Sequence, residues 1–503
     1  MENAIFSIHA LGGGAVTVGQ IEPPGNWECD MNNVIEPAPG PLNWKQSCLW
    51  LALAVACFHA AYTSLKFPAA GLMIFGYVLA LVRLTNQPGV RRAFYFGLAT
   101  AFLCYGPQLW FFCKIFNVAA AVLWLVLAFW VGLFAAVICG CRRRWGAART
   151  AWLIPVVWTG LEYFRSELYY LKFSWLNVGY ALPPFFSGAG ACHLGVYAAG
   201  FVAFAIAAAW PFRLVRKLGW LEAVLAVVAG LAAWVTIFPT DFHAATRPAP
   251  AMVGVQMEFP TEAVIPRMLD RALAKNPNAQ LFVMSEYSLE GPVPEALKNW
   301  CRRHARYLVI GGKDPAGAGN YRNTAFVVGT NGDIVFRQGK SVPIQFFQDG
   351  LPAVEQTLWS SPWGKIGFCI CYDLSYTRVV DELVRQGAQL LIVPTMDVEY
   401  WGRHEHELHF RVAPPRAAEY GLPIFRLASS GISQAVAGDG SVIARTPMPG
   451  NGAFMAASLC LPAHGVLPLD RYLAPACTAI SGVVLAALLF LAWKERAAGG
   501  KKL

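Results

Sequence analysis

Eight stretches of this chain contain no Asp, Glu, Lys or Arg and are otherwise mostly apolar: 46–65, 67–82, 93–113, 115–141, 150–161, 173–212, 223–240 and 472–493. The hydrocarbon layer of a bilayer needs about 20 such residues per helix. The runs therefore predict eight membrane spans, the sixth taken from the later part of its stretch, about 188–212. Only 14% of the 503 residues are charged, against about 25% in an ordinary soluble domain, so there is too little charge to clothe a soluble protein of this length. The same balance excludes disorder, a collagen and a nucleic-acid-binding basic domain. The net charge of +10 is read as membrane topology.

Lysine and arginine in short loops set orientation. They gather in alternate loops, at Arg83, Arg91 and Arg92, at Arg142, Arg143, Arg144 and Arg149, at Arg213, Arg216 and Lys217, and in the C-terminal tail. The other loops hold only Lys66, Lys114, Arg165 and Lys172. Both termini are then cytoplasmic, and the segment between spans seven and eight lies outside the cytoplasm. The expected organisation is a disordered tail at 1–44, a seven-span membrane domain at 45–245, a soluble domain at 250–465, an eighth span at 472–493 and a basic cytoplasmic tail at 494–503. The tail lacks the basic stretch and apolar run of a signal peptide. Thirteen cysteines are scattered without a disulfide or zinc spacing, many of them in apolar runs, where a thiol acts as a small hydrophobe.

Residues 250–465 alternate short apolar runs with helix-like stretches, as one α/β domain would. Ala251–Met257, Ala279–Met284, Tyr307–Gly311, Thr324–Val328, Ile334–Phe336, Lys365–Cys371 and Leu390–Val393 read as strands; Val379–Gln386 and Leu408–Tyr420 read as helices. Glu286, Lys340 and Cys371 fall at or just after strand ends, where such domains present chemistry. A carboxylate can take the proton of a thiol, and a lysine can stabilise the oxyanion formed on an attacked carbonyl. Singly, each has an ordinary reading as a solvated or core residue.

Their contexts carry more. Gly367–Asp373 reads Gly-Phe-Cys-Ile-Cys-Tyr-Asp, Ser285-Glu286 precedes it, and Gly339–Pro343 reads Gly-Lys-Ser-Val-Pro. Together these resemble the nitrilase superfamily, with its Glu-Lys-Cys order. In the membrane part, Phe173–Tyr180 is similar to the F-P-W-L-x-x-G-Y loop of the apolipoprotein N-acyltransferase family, and Gly195–Phe201 to the helix after it. His409, Arg416, Ala417, Glu419 and Gly421 match its H…RA-x-E-x-G helix, and Ser429–Ser433 its N-N-G-I-S stretch. The likeness runs from about residue 45 to the C-terminus. It implies a polytopic α-helical membrane domain of eight spans with an inserted nitrilase-like αββα sandwich.

The resemblance further implies Glu286 as general base, Lys340 as oxyanion stabiliser, Cys371 as nucleophile and the Tyr372 N–H as second oxyanion donor, with Asp373, Trp401 and Trp175 at the substrate. It implies no cofactor and no metal. Partners would be a phospholipid acyl donor, a diacylglyceryl-modified lipoprotein acceptor and the bilayer, with no nucleic acid and a monomer as default. The location would be the bacterial inner membrane, multi-pass, with the catalytic domain on the periplasmic side. Phe346, Phe347, Tyr400 and Trp401 are expected to line an apolar cleft.

This sequence departs from the family after Lys340, where Ser-Val-Pro-Ile-Gln-Phe-Phe-Gln-Asp replaces L-V-P-F-G-E and leaves Gln345 or Asp349 in place of the family's glutamate. Asp373 stands where glutamate is commoner. Asp397–Gly402 is a stretched N-D-A-W-F-G loop, and Pro414 and Pro415 interrupt a helix.

Other motifs have competing readings. Gly332…Gly339-Lys340-Ser341 has the wrong spacing for a phosphate-binding loop. Arg403–His409 is dense in His and Glu, and His406 with His409 could share a helix face and hold a metal, or form a polar rim. Cys369 and Cys371 are too far apart on a strand for a relaxed disulfide. Trp175 is either an interfacial anchor or part of a lipid site. The rival functions are a membrane-tethered amidase hydrolysing a small amide, a catalytically altered homologue, and a transporter; the scarcity of charge inside the spans speaks against transport.

Overall fold

A computed structural model describes residues 40–63, 68–182, 194–209 and 247–499. The predicted seventh span at 223–240, the arginines before it and most of the N-terminal tail lie outside the described residues.

Asn43 starts the first helix, α1 (Trp44–Ala61): its side chain accepts from the Gln46 N–H, and the Gln46 side chain accepts from the Asn43 N–H. This reciprocal box satisfies two backbone donors that a helix start leaves free. There follow α2 (Ile74–Leu84), α3 (Val90–Gln108), the short α4 (Phe112–Phe116) and α5 (Ala120–Tyr163). After α5 come one π turn at Phe164–Leu168, the short α6 (Val178–Ala181) and α7 (Val196–Ala209). The predicted loop at 142–149 is a break inside α5: Gly146 takes φ +80°, a left-handed value that costs glycine little.

By length and composition, two helices among the described residues can cross a bilayer, Phe112–Leu168 and Asp470–Ala497. Ala69–Leu84 and Val196–Ala209 are apolar but shorter.

The soluble domain is built from strands β1 (Arg247–Pro248), β2 (Met252–Val255), β3 (Leu281–Met284), β4 (Tyr307–Gly317), β5 (Asn320–Val328), β6 (Ile334–Gly339), β7 (Leu358–Ser361), β8 (Gly364–Phe368), β9 (Leu390–Pro394), β10 (Ile424–Leu427), β11 (Gln434–Val436), β12 (Val442–Arg445), β13 (Phe454–Ala457) and β14 (Cys460–Leu461). Its helices are α8 (Ile265–Lys275), α9 (Glu295–His304), α10 (Thr377–Arg385), α11 (Arg403–Phe410) and α12 (Ala413–Tyr420); α13 (Asp470–Gly499) follows.

Two six-stranded sheets run β13-β2-β3-β4-β5-β6 and β12-β11-β10-β9-β8-β7. In each, the middle strands are parallel (β2-β3-β4 and β8-β9-β10) and the flanking ones antiparallel. Strands such as Leu281–Met284 and Leu390–Pro394 are buried along their whole length, as expected of strands covered on both faces. Val283, Val309, Ile366, Ile392, Phe425 and Leu427 fill the space between the sheets. Val253, Phe282, Leu297 and Trp300 pack under α8 and α9 on one outer face. On the other face α10 and α12 share a continuous apolar cluster with α1–α7. The sandwich is therefore αββα, with a helical layer from the membrane part against one side.

Two sequence expectations need correction here. The strand predicted to run through Cys371 ends at Phe368. The predicted helix Leu408–Tyr420 is two helices, because Pro414 and Pro415 lack the N–H a helix interior requires and instead occupy the first turn of α12.

Candidate active site

Glu286 directly follows Ser285 at the end of β3, and Lys340 follows the last residue of β6. Both are buried. The Lys340 ammonium donates to Glu286 Oε1 at 2.9 Å and lies 2.7 Å from Asp349 Oδ2. Asn323, inside β5, donates to Glu286 Oε1 at 2.6 Å and to Asp349 Oδ1 at 2.9 Å. The Met396 N–H donates to Glu286 Oε2 at 2.8 Å. Asp349 also accepts from the Tyr287 hydroxyl at 2.7 Å and the Ile344 N–H at 2.8 Å. Of the two sequence candidates for the family's glutamate, the structure brings Asp349 to the lysine. Gln345 instead bonds the Tyr170 carbonyl.

One ammonium thus serves two buried carboxylates, and their proton affinities separate. Burial alone would pull Lys340 down, but Glu286, with Cys371 and Asp349 behind it, holds it well above the usual lysine value. Burial alone would raise Asp349; Lys340 overrides it and keeps that carboxylate low. Burial raises Glu286, and the Asp349 charge reinforces this against Lys340, so the net direction is up. Groups driven apart in this way take different parts in acid–base chemistry: Asp349 is a fixed anion and Glu286 a carboxylate able to receive a proton.

Cys371 opens a tight turn (Cys371–Ser375) after β8 and adopts φ +52°. A non-glycine residue in that region is strained and persists only when its surroundings impose it. Asp373 imposes it from behind: its carboxylate accepts from the N–H groups of Ser341, Val342 (2.7 Å) and Ile370. It ties the Cys371 turn to the segment after Lys340, and burial lifts its carboxyl to about 6. The Cys371 Sγ lies 3.9 Å from the Met396 carbonyl. Burial pushes the thiol well up, Glu286 adds to this and Lys340 opposes it, so the resting group is a thiol that needs a base. Cys369 packs on the helical side of the sheet as core, and both cysteines are free.

Cys371 lies on a mostly apolar chamber of about 150 Å³, part of it open to solvent. One wall comes from the membrane part, with Phe112, Phe116, Leu127 and Trp175; the other comes from the sandwich, with Phe346, Phe347, Tyr372 and Trp401. Trp175 is buried, donates to Ser375 Oγ at 3.0 Å and stacks on the His409 ring at 4.5 Å. The Phe173–Tyr180 loop therefore meets the turn that carries Cys371. Tyr372 donates from its hydroxyl to the Lys172 carbonyl at 3.1 Å. Tyr400, expected at the cleft, is instead exposed, and its carbonyl and ring receive Lys114.

Behind Trp175, His409 Nδ1 donates to Asp397 Oδ1 at 2.7 Å, while Arg426 donates to Asp397 Oδ2 at 2.6 Å. Burial, with Arg426, lowers His409 to about 4 against the pull of Asp397. Glu405, His409 and Asp397 present ligand atoms within 4.8 Å of one another. With both Asp397 oxygens engaged and a guanidinium at one of them, a dication fits this set poorly.

Asn323 and Glu405 were not assigned from sequence, and Asp349 was named only as an alternative to Gln345. Asn323 stands just before the apolar run Thr324–Val328 and carries no local signal. Asp349 is brought in by tertiary contacts to Tyr287 and Asn323.

Family models match in two places: the apolipoprotein N-acyltransferase N-terminal domain at residues 52–209 and the carbon-nitrogen hydrolase at residues 244–456. The chain is 23% identical to the apolipoprotein N-acyltransferase of Geobacter metallireducens over 456 residues, 78% of this chain and 87% of that protein. It is 22% identical to that of Shewanella oneidensis over 459 residues, 79% and 88% of the two chains. Among solved structures, a carbon-nitrogen hydrolase from Helicobacter pylori aligns with a TM-score of 0.38 and 16% identity, over 42% of this chain and 89% of that one.

Proposed function

This chain belongs to the apolipoprotein N-acyltransferase family of the nitrilase superfamily, and we propose that it moves a fatty acyl chain from a phospholipid, through a thioester on Cys371, to the N-terminal amine of an S-diacylglyceryl-cysteine lipoprotein. It is a membrane N-acyltransferase. The single observation that supports the detailed reading is that Cys371, within electrostatic reach of the buried Glu286–Lys340 pair, lines an apolar chamber with one wall from each half of the chain.

In the first half-reaction Glu286 accepts the Sγ proton as sulfur attacks the donor's ester carbonyl. The Lys340 ammonium and the Tyr372 N–H stabilise the oxyanion; losing one such donor typically costs about 10²–10³ in rate. Collapse breaks the C–O bond, Glu286 returns its proton to the leaving oxygen, and a lysophospholipid departs. In the second, the acceptor nitrogen attacks the thioester, the C–S bond breaks, and the surplus N–H proton passes through Glu286 to Sγ. Asp349 and Asp373 act as positioning residues, for Lys340 and for the nucleophile turn. Trp175 and Trp401 contact the acyl chain.

Both substrates are amphiphiles. Extracting an acyl chain into water costs about 0.8 kcal/mol per CH₂; an enzyme held at the bilayer avoids that. An eight-span topology with residues 250–465 on the periplasmic face of the inner membrane supplies the geometry. A small-amide hydrolase is the weaker reading, because the match to the apolipoprotein N-acyltransferase N-terminal domain and the long alignments with apolipoprotein N-acyltransferases extend beyond the hydrolase domain.

The test is the intact mass of the full-length protein after incubation with phospholipid vesicles. Wild type gains one long-chain acyl group and Cys371→Ala gains none. An adduct that persists in Cys371→Ala and disappears in Cys369→Ala would move the nucleophile.

A further inference from the structure

The Arg403–His409 cluster is unused in the reaction written above, yet it supplies an unsatisfied polar group at the chamber. Glu405, on α11, has 1% of its side chain exposed and lines the chamber with Cys371 and Met396. Neither of its carboxyl oxygens has a hydrogen-bond partner among the described residues. His406 Nε2 is 3.3 Å away and His409 Nδ1 3.9 Å away. Both of those nitrogens are engaged elsewhere, with the Val398 carbonyl at 2.9 Å and with Asp397 at 2.7 Å. A buried polar group without a partner is costly, and such groups are retained where a ligand completes them.

A cation of metal type is disfavoured by Arg426 on Asp397. A nitrogen ligand is not: it needs one carboxyl and an aromatic or apolar surround, and the Trp175 ring stacked on His409 provides the latter. The acceptor brings such a nitrogen to this chamber.

We propose that Glu405 binds the N-terminal nitrogen of the acceptor and holds it against the Cys371 thioester, so that the carbonyl and the amine are managed by separate groups. The inference rests on the acyl-transfer reading. Acid and amine together carry one exchangeable proton and no net charge, whichever atom holds it. With that proton on Glu405 the nitrogen lone pair is free to attack. The C–N bond forms, the C–S bond breaks, the remaining surplus N–H proton reaches Sγ through Glu286, and Glu405 ends as it began. Burial supports this arrangement: it raises the Glu405 carboxyl well above the usual carboxylate range, with Asp397 adding to the effect and Arg426 opposing it.

The experiment separates the half-reactions in the full-length protein. Wild type, Glu405→Gln and Glu405→Asp are loaded from phospholipid vesicles and followed by intact mass. They are then given either a diacylglyceryl-cysteine peptide with a free N-terminus or hydroxylamine. Glu405→Gln should load at the wild-type rate and release to hydroxylamine normally, while its KM for the peptide rises about 10-fold or more; Glu405→Asp should be intermediate. An unchanged peptide KM in Glu405→Gln overturns the inference. So does failure of Glu405→Gln to load, which would give the carboxyl a role in the first step or in the fold. A wild type that never loads removes the acyl-transfer reading itself, and this assignment with it.

Discussion

A lysine shared by two carboxylates makes them unequal, and the inequality can be tested one residue at a time. Asp349→Asn removes the charge that helps to raise Glu286, so Glu286 becomes a weaker base and its proton affinity falls. Thioester formation should slow about 10–100-fold, and the acid limb of its pH–rate profile should move to lower pH; an unshifted limb would free Asp349 from this role. His409 provides a second test. Its folded value of about 4 lies below the ordinary histidine value of about 6.5, so the unfolded chain binds the extra proton. The stability this contributes is present above pH 6.5 and is lost as pH falls towards 4, up to about 3 kcal/mol. The melting temperature of the wild type should fall across that window, and Glu- and Asp-independent sensitivity should be smaller in His409→Gln.

At the scale of the element, the site depends on backbones that approach closely. A Cβ on Gly311 of β4 would stand 2.6 Å from the Glu286 Cα and 2.7 Å from the Ser285 carbonyl oxygen. Both are backbone atoms and cannot swing aside. Gly311→Ala should therefore displace Glu286, and a misplacement of about 1 Å can cost about 10²-fold in rate; adduct formation at wild-type speed would show that β3 and β4 have slack. The strands that carry Glu286 and Lys340 were legible as short apolar runs ending in a polar residue. The turn at Cys371 was not, because Asp373 and its bonds to Ser341, Val342 and Ile370 impose a left-handed residue that no local pattern announces. The division between α11 and α12 was visible in Pro414 and Pro415, whose missing N–H groups fit a helix start and not its middle. Asp349 could not be told from Gln345 in the sequence because its place is set by Tyr287 and Asn323, residues distant in the chain. Glu405 escaped because no sequence rule marks a carboxyl that lacks a partner.

Across the whole molecule, charge fastens the helices to the sandwich. Arg471, at the start of α13, donates to Asp381 at 2.6 Å, Glu419 at 2.9 Å and Asp470 at 2.6 Å, all buried. Glu419 also accepts from the Val196 N–H at 3.1 Å, and Glu167 accepts from the Thr377 N–H at 3.2 Å. Arg471→Met would leave several buried carboxylates unpaired and should destabilise the protein by about 3–5 kcal/mol, read as a lower melting temperature in detergent; an unchanged transition would mean the carboxylates find other partners. Glu162 and Arg165 are buried within Phe112–Leu168, close to the end of a segment whose charge-free core the sequence made plain. They serve local structure: Glu162 accepts from the Val178 N–H at 3.0 Å, and Arg165 donates to Asn177 at 2.6 Å. The paired walls of the chamber have one more consequence. If the sandwich were expressed by itself, Cys371 would sit in an open gutter facing water, with Phe112, Leu127 and Trp175 gone from the far side. On the proposed reaction, such a fragment would keep Glu286, Lys340 and Cys371 and still lose any acyl group to hydrolysis, so that the difference between a transferase and a hydrolase would reside in a partition contributed by the membrane half.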